Sequence, residues 1–178
     1  MSCLRLGTWQ TANIAAVVFA VLAGSLFASA ACNDDRDKMI KEYVDQTIDF
    51  TPACGDFTSD GHSTHFTFAE LNTGDFSAWA ILRGSLLSGI ETTRTKNGNA
   101  SLTVNSAYRN PKHNSGVEGA AKNSRHLHGD AIDFQSDEDS WGGLRQAGKD
   151  ASACAEPQAL SGTGHVHLDW RGTCPANW

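Results

Sequence analysis

The chain has 178 residues, with 14 lysines and arginines against 20 aspartates and glutamates, a net charge of −6 at pH 7 and 40% hydrophobic residues. That length suits one domain of ordinary size once a targeting segment is set aside. The acidic balance argues against a protein that binds nucleic acid by neutralising its phosphates, so no nucleic-acid partner is expected.

Positions 14 to 28, IAAVVFAVLAGSLFA, form an apolar run behind a short start carrying Arg5, and Ala28-Ser29-Ala30 has the small-residue pattern of a signal-peptidase site. Residues 1 to 30 are read as an export signal. Without Arg5, 13 basic residues face 20 acidic ones, a net of −7. Two membrane-attached alternatives stay open. The run from Leu6 to Asn33 carries no charge and exceeds the ~20 residues a spanning helix needs. Cys32 follows Ala30-Ala31 as a lipid-modified cysteine follows small residues, although Ser29 stands where leucine is usual. Membrane contact is expected only through such an anchor or lipid, and the chain is otherwise expected to be a periplasmic or extracellular monomer.

Cysteine usage agrees with export. Beyond Cys3, the residues Cys32, Cys54, Cys154 and Cys174 are even in number and permit three disulfide pairings. Sequential pairing, Cys32 with Cys54 and Cys154 with Cys174, would tie an irregular flank at each end. A four-cysteine zinc site is the rival, but no CxxC pair is present.

In chain order, residues 31–65 read as an N-terminal flank and 66–178 as the main domain. The flank begins with DDRDKMIKEYVDQTI, where Met39, Ile40, Tyr43, Val44 and Ile48 recur at helical spacing, a surface helix packed on the domain. HFTFAEL, from His65, alternates like a short strand. His62 and His65 are read as surface histidines, with metal binding the minor alternative. From Asp75 to Ile90, the residues Phe76, Trp79, Ala80, Leu86, Leu87 and Ile90 fit a core-facing helix ended at Gly89 or at Lys96-Asn97-Gly98. SLTVNSA alternates as a strand that delivers Arg109 to its end. There a guanidinium can hold a carboxylate or a polarised carbonyl in two-point fashion; a salt bridge at the surface is the alternative. A small-residue loop or short helix leads to Ser124, and WGGLRQAGKDASA reads as a glycine-weakened helix after the acidic SDEDS.

Two stretches carry chemistry, SRHLHGDAIDF from Ser124 and HVHLDW from His165. Donor atoms on one tetrahedral zinc ion lie roughly 3.3 Å apart. His126 and Asp133, seven residues apart, would be ~23 Å apart on a strand and ~10 Å on a helix, so the chain must reverse between them. Gly129-Asp130 is a suitable turn, with Ala131 to Phe134 a buried strand beyond it. On the second strand His165, His167 and Asp169 share one face, and Val166, Leu168 and Trp170 face the core. Asp169 is a candidate acceptor for an imidazole N–H or a partner in an ordinary surface salt bridge. His128 is a candidate fourth ligand that would close the site.

SAYRNPKHN, SRHLHGDAID and HVHLD, in that order, resemble the zinc peptidases of the LAS group, named for lysostaphin, D-Ala-D-Ala carboxypeptidase and Sonic hedgehog. The branch most similar contains D-Ala-D-Ala carboxypeptidases and L-Ala-D-Glu endopeptidases, and its central signature is met by Ser124, His126, Gly129, Ala131 and Asp133. The resemblance spans roughly Phe66 to Asp169. It implies an α+β fold whose small antiparallel sheet carries zinc between flanking helices. It also implies His126, Asp133 and His167 as ligands, and Arg109 and Ser124 as substrate contacts. Three ligands leave a fourth position for water, whose pKa zinc lowers from ~15.7 toward ~7 for attack on an amide. Compartment and family together imply peptidoglycan stem peptides as substrate, cut by carboxypeptidase or endopeptidase action. One departure stands out. The carboxypeptidase branch has a glutamate base three residues before the last histidine ligand, and here that residue is Gly164. Either His165 takes over as base or oxyanion stabiliser, or the domain is a non-catalytic zinc-containing wall-binding or interaction module. The missing glutamate favours endopeptidase action.

Overall fold

The computed structural model describes residues 34–73, 77–136, 138–157 and 164–176. The expected signal and Cys32 lie outside the described residues, as does the start of the helix expected from Asp75. Among the described residues no helix is long and apolar enough to cross a membrane.

Four antiparallel strands build the frame, in spatial order β3 (Val104–Ser106), β4 (Ala131–Gln135), β6 (His165–Asp169) and β5 (Cys154–Ala155). Alternation on β4 and β6 separates two faces. Ile132, Phe134, Val166 and Leu168 are fully buried and join Leu86, Ile90, Trp141 and Leu144 in the main core. Those last four come from α3 (Gly84–Lys96) and α5 (Glu138–Asp150), which therefore cover the back of the sheet. Asp133 and His167 leave from the opposite face. Burying one leucine contributes about 2 kcal/mol, so slipping β6 by one residue would cost several such contributions and expose Val166 and Leu168.

The N-terminal flank is built into this unit. Helix α1 (Asp34–Asp45) buries Met39 and Tyr43 in a second core with Phe57, Ala80, Ile81, Tyr108 and Leu127. The Tyr43 hydroxyl donates to the Leu127 carbonyl oxygen at 2.6 Å, on the turn that carries His126. Val44, expected on the packed face, is 56% exposed because the covered stripe is narrower than the apolar pattern. Strand β1 (Phe57–Thr58) then pairs with β2 (Ala80–Ile81).

Two expected elements are corrected. HFTFAEL is not a strand: it contains helix α2 (Phe68–Leu71), because Thr67 and Glu70 form a capping box whose reciprocal bonds outweigh the short alternation. The long helix expected from Asp75 is divided, with Ala80 and Ile81 in β2 and α3 starting only at Gly84. That helix runs through Gly89, which lies against the Trp170 indole where no side chain fits, and ends before Gly98 at φ +72°. Helix α4 (Pro111–Gly116) starts on Asn110, whose side chain caps His113 N–H at 2.7 Å. Cys154 and Cys174 form the disulfide expected of them. Cys54 is also disulfide-bonded, and Cys32, its expected partner, is outside the described residues.

Candidate metal centre

His126 sits on a 3-10 turn, Arg125–His128, that ends at Gly129 with φ +70°. A Cβ on Gly129 would lie 2.1 Å from the Ile81 carbonyl oxygen, so backbone conformation and space both require glycine. The turn supplies the reversal demanded by the seven-residue spacing, and β4 then presents Asp133 directly across the ladder from His167.

These three residues converge. His126 Nε2 lies 3.2 Å from Asp133 Oδ1 and 3.2 Å from His167 Nδ1, and His167 Nδ1 lies 2.8 Å from Asp133 Oδ1. His126 Nδ1 donates to the Ala107 carbonyl oxygen at 2.6 Å, so Nε2 presents a lone pair to the cluster. Three lone-pair-bearing atoms packed this closely repel one another, so the cluster holds either a proton or a metal cation among them. Their separations are near the roughly 3.3 Å edge of a tetrahedral zinc site, and the donor set of two imidazoles and a carboxylate suits zinc. Among the described residues no other cluster of this kind exists.

The surrounding charges fit the same purpose. Burial works against the Asp133 anion, but hydrogen bonds and charge from His126 and His167 outweigh it and hold the carboxyl far below the usual carboxylate range. Burial likewise opposes charge on His167, yet Asp133 and Asp169 push its pKa up to about 9. Burial lowers that of His126. A proton on His167 Nδ1, directed at Asp133, and a metal cation would therefore compete for the same place.

Asp169 is fully buried and lies behind His167, with Oδ2 3.6 Å from Nε2. The salt bridge is the stronger contact: Arg171 grips Asp169 with two bonds of 2.6 Å, and the carboxylate is buried rather than at the surface, while His167 Nε2 stands just outside hydrogen-bond distance. Arg109 is buried; its Nη2 donates to Asp133 Oδ2 at 2.7 Å and its Nε to Ser106 Oγ at 2.8 Å. The surface salt bridge offered as the alternative for Arg109 is instead a buried ion pair, and its partner is the candidate ligand Asp133. His128 is not a fourth ligand: its ring stacks on Phe50 at 4.8 Å and its Nε2 lies 3.4 Å from Asp49. His65 instead pairs with Glu91 at 2.7 Å, and His62 Nδ1 bonds the Asp60 carbonyl.

The cluster lines a cleft of about 570 Å³, together with Arg109, Ser124, His165 and Glu156. His165 is half-buried on the same face of β6, its Nε2 3.9 Å from Asp133 Oδ1, beyond hydrogen-bond reach. Sequence reasoning missed Glu156. It follows β5, and the only local signal was the Glu-Pro step, which favours an extended residue before proline. A larger groove of about 770 Å³ lies between α1 and α4 and contains no such ligand group.

A sheet-borne site of two histidines and an aspartate in a cleft has the donor set of a three-ligand metallohydrolase centre. A family model described as Peptidase M15 matches residues 62–169, and the chain belongs to that family of zinc-dependent metallopeptidases. No curated protein matches the chain.

Proposed function

We propose that the chain is an exported zinc peptidase that hydrolyses amide bonds in peptidoglycan stem peptides, acting within the peptide. The observation that carries the reading is the convergence of His126 Nε2, Asp133 Oδ1 and His167 Nδ1 within 3.2 Å of one another on the floor of a cleft. Zinc bound there would polarise the scissile carbonyl and make water nucleophilic near neutral pH.

The chain's own residues prepare that chemistry. The Ala107 carbonyl fixes the His126 tautomer, and Asp169 steers the His167 ring from behind. Arg109 holds the outer oxygen of Asp133, leaving Oδ1 for the metal. His165 presents Nε2 beside the cluster and donates to the carbonyl oxygen as negative charge builds on it. Ser124, at the start of the His126 turn, meets the substrate backbone, and Arg109 lies within reach of the same peptide along the cleft wall.

Endopeptidase action is favoured by charge. Each arginine lining the cleft is already paired: Arg109 with Asp133, Arg125 with Asp130 and Arg171 with Asp169. A substrate's terminal carboxylate would compete with these internal partners, whereas a neutral internal amide would not. Export, read from residues 1 to 30, brings the enzyme to the wall. The test is digestion of defined muropeptides by the zinc-loaded protein and by His126→Ala, with bound zinc measured in parallel. Cleavage by the first alone supports the proposal. Stoichiometric zinc with no cleavage supports the non-catalytic module instead.

A further inference from the structure

Amide hydrolysis needs a group that takes a proton from water and gives it to the departing amine. The ladder places an acidic side chain beside the cluster for this. β5 pairs with β6 through Cys154↔Asp169 and Ala155↔Leu168, so the next pair in register is Glu156 and His167. Directly opposite residues of an antiparallel pair leave from the same face, with Cβ atoms about 4.5–5.5 Å apart. Glu156 therefore projects on the metal face.

Its backbone is fixed at both ends. The Glu156 N–H donates to the His167 carbonyl at 3.1 Å, and its own carbonyl accepts from Arg145 Nε at 2.7 Å. With that carbonyl diverted, the side chain supplies the missing rung: Oε1 accepts the His167 N–H at 3.1 Å. The residue is only 4% exposed, yet it lines the cleft and Oε1 alone is bonded among the described residues. Oε2 has no hydrogen-bond partner among the described residues and keeps contact with solvent in the cleft, where a carboxylate oxygen can exchange a proton with water. A glutamine or serine would supply the rung without the charge.

We propose that Glu156 is the proton carrier of the reaction, which rests on the peptidase reading above. As the water oxygen bonds to the carbonyl carbon, Oε2 takes one of its protons; as the C–N bond breaks, Oε2 returns that proton to the amine nitrogen. His165 is then left as the donor to the carbonyl oxygen, and the role of the glutamate absent at Gly164 is met from the neighbouring strand.

Glu156→Gln tests this directly, because it keeps an oxygen for the His167 N–H and removes only the basic group. Three quantities are compared with wild type: zinc affinity by competition with a chromophoric chelator, melting temperature, and kcat on a defined muropeptide. The expected result is zinc affinity within about 3-fold, an unchanged melting temperature and kcat lower by roughly 10²–10⁴. Glu156→Asp, which retains charge but retracts it, is expected to keep zinc and lose at least 10-fold in kcat. Equal turnover in both variants overturns the assignment while leaving the peptidase reading intact. Loss of zinc affinity in Glu156→Gln in step with activity overturns it too, and makes Glu156 a support for His167. A wild-type protein that binds zinc and cleaves nothing overturns both proposals together.

Discussion

Zinc must displace a proton to bind this site, and the competition is measurable. In the metal-free protein His167 carries a proton on the nitrogen that faces Asp133, with a pKa pushed up to about 9 by Asp133 and Asp169 against the cost of burial. At pH 7 the group is about two units below that value and ~99% protonated, so binding through Nδ1 is weakened about 100-fold, or ~2.7 kcal/mol. The perturbation is pH alone. Between pH 6 and 8 the logarithm of the apparent zinc affinity rises by about one unit per pH unit from this group, then flattens as pH passes about 9. The assay is competition with a chelator whose own zinc affinity is known at each pH. Calorimetry in buffers of different ionisation enthalpy gives the proton count, which is at least one at pH 7. An affinity flat across this range, or binding with no proton released, refutes the assignment of His167 Nδ1 as a ligand.

The same charges set the stability of the metal-free fold. The raised pKa of His167 means that its contribution is complete below about pH 6.5 and lost as pH rises through about 9, so the melting temperature of the metal-free protein falls over that window. Asp133 has the opposite sign: its contribution is complete above about pH 4 and declines as pH falls further, which acid unfolding followed by circular dichroism will show. Arg109→Met removes the guanidinium from Asp133, and zinc affinity is expected to drop 10–100-fold in the chelator assay. Gly129→Ala forces a side chain onto the Ile81 carbonyl at φ +70° and is expected to cost 2 kcal/mol or more, approximately, in denaturant unfolding; Gly164→Ala, at φ +80° in open space, is expected to cost about 1. Replacing Cys154 and Cys174 by serine opens a link across 20 residues and is expected to cost about 3 kcal/mol.

Where local sequence and tertiary structure asked for the same thing, the sequence was readable. HVHLDW alternates strictly, and β6 has no freedom to do otherwise, since Val166 and Leu168 are wholly buried and His167 stands across from Asp133. The turn between His126 and Asp133 was demanded by metal geometry before any contact was known, and Gly129 provides it. Legibility failed where short-range signals competed. In HFTFAEL the apolar alternation over four positions was outweighed by two side-chain bonds of the capping box. In the stretch toward Ile90, apolar residues recur at helical spacing across a boundary, because Ala80 and Ile81 in a strand and Leu86 and Ile90 in a helix happen to fall in phase. Nothing in periodicity separates the two cases.

The site divides along the same line. His126 and Asp133 share one short motif because a single turn joins the first to the strand of the second, and His167 is legible from the alternation of β6 alone. Glu156 carries none, because its place is fixed only by the pairing of β5 with β6, a relation between positions eleven residues apart that no motif encodes. Arg109 was recognised as important from its place at a strand end, but its partner was not, since the Asp133 oxygen it holds becomes its neighbour only through the β3–β4 pairing. The departure at Gly164 illustrates the consequence. Read along one strand, it removes the base. Read across the sheet, an acidic group, Glu156, lies one strand over, and the residue that bonds it there is the candidate ligand His167, through its backbone N–H.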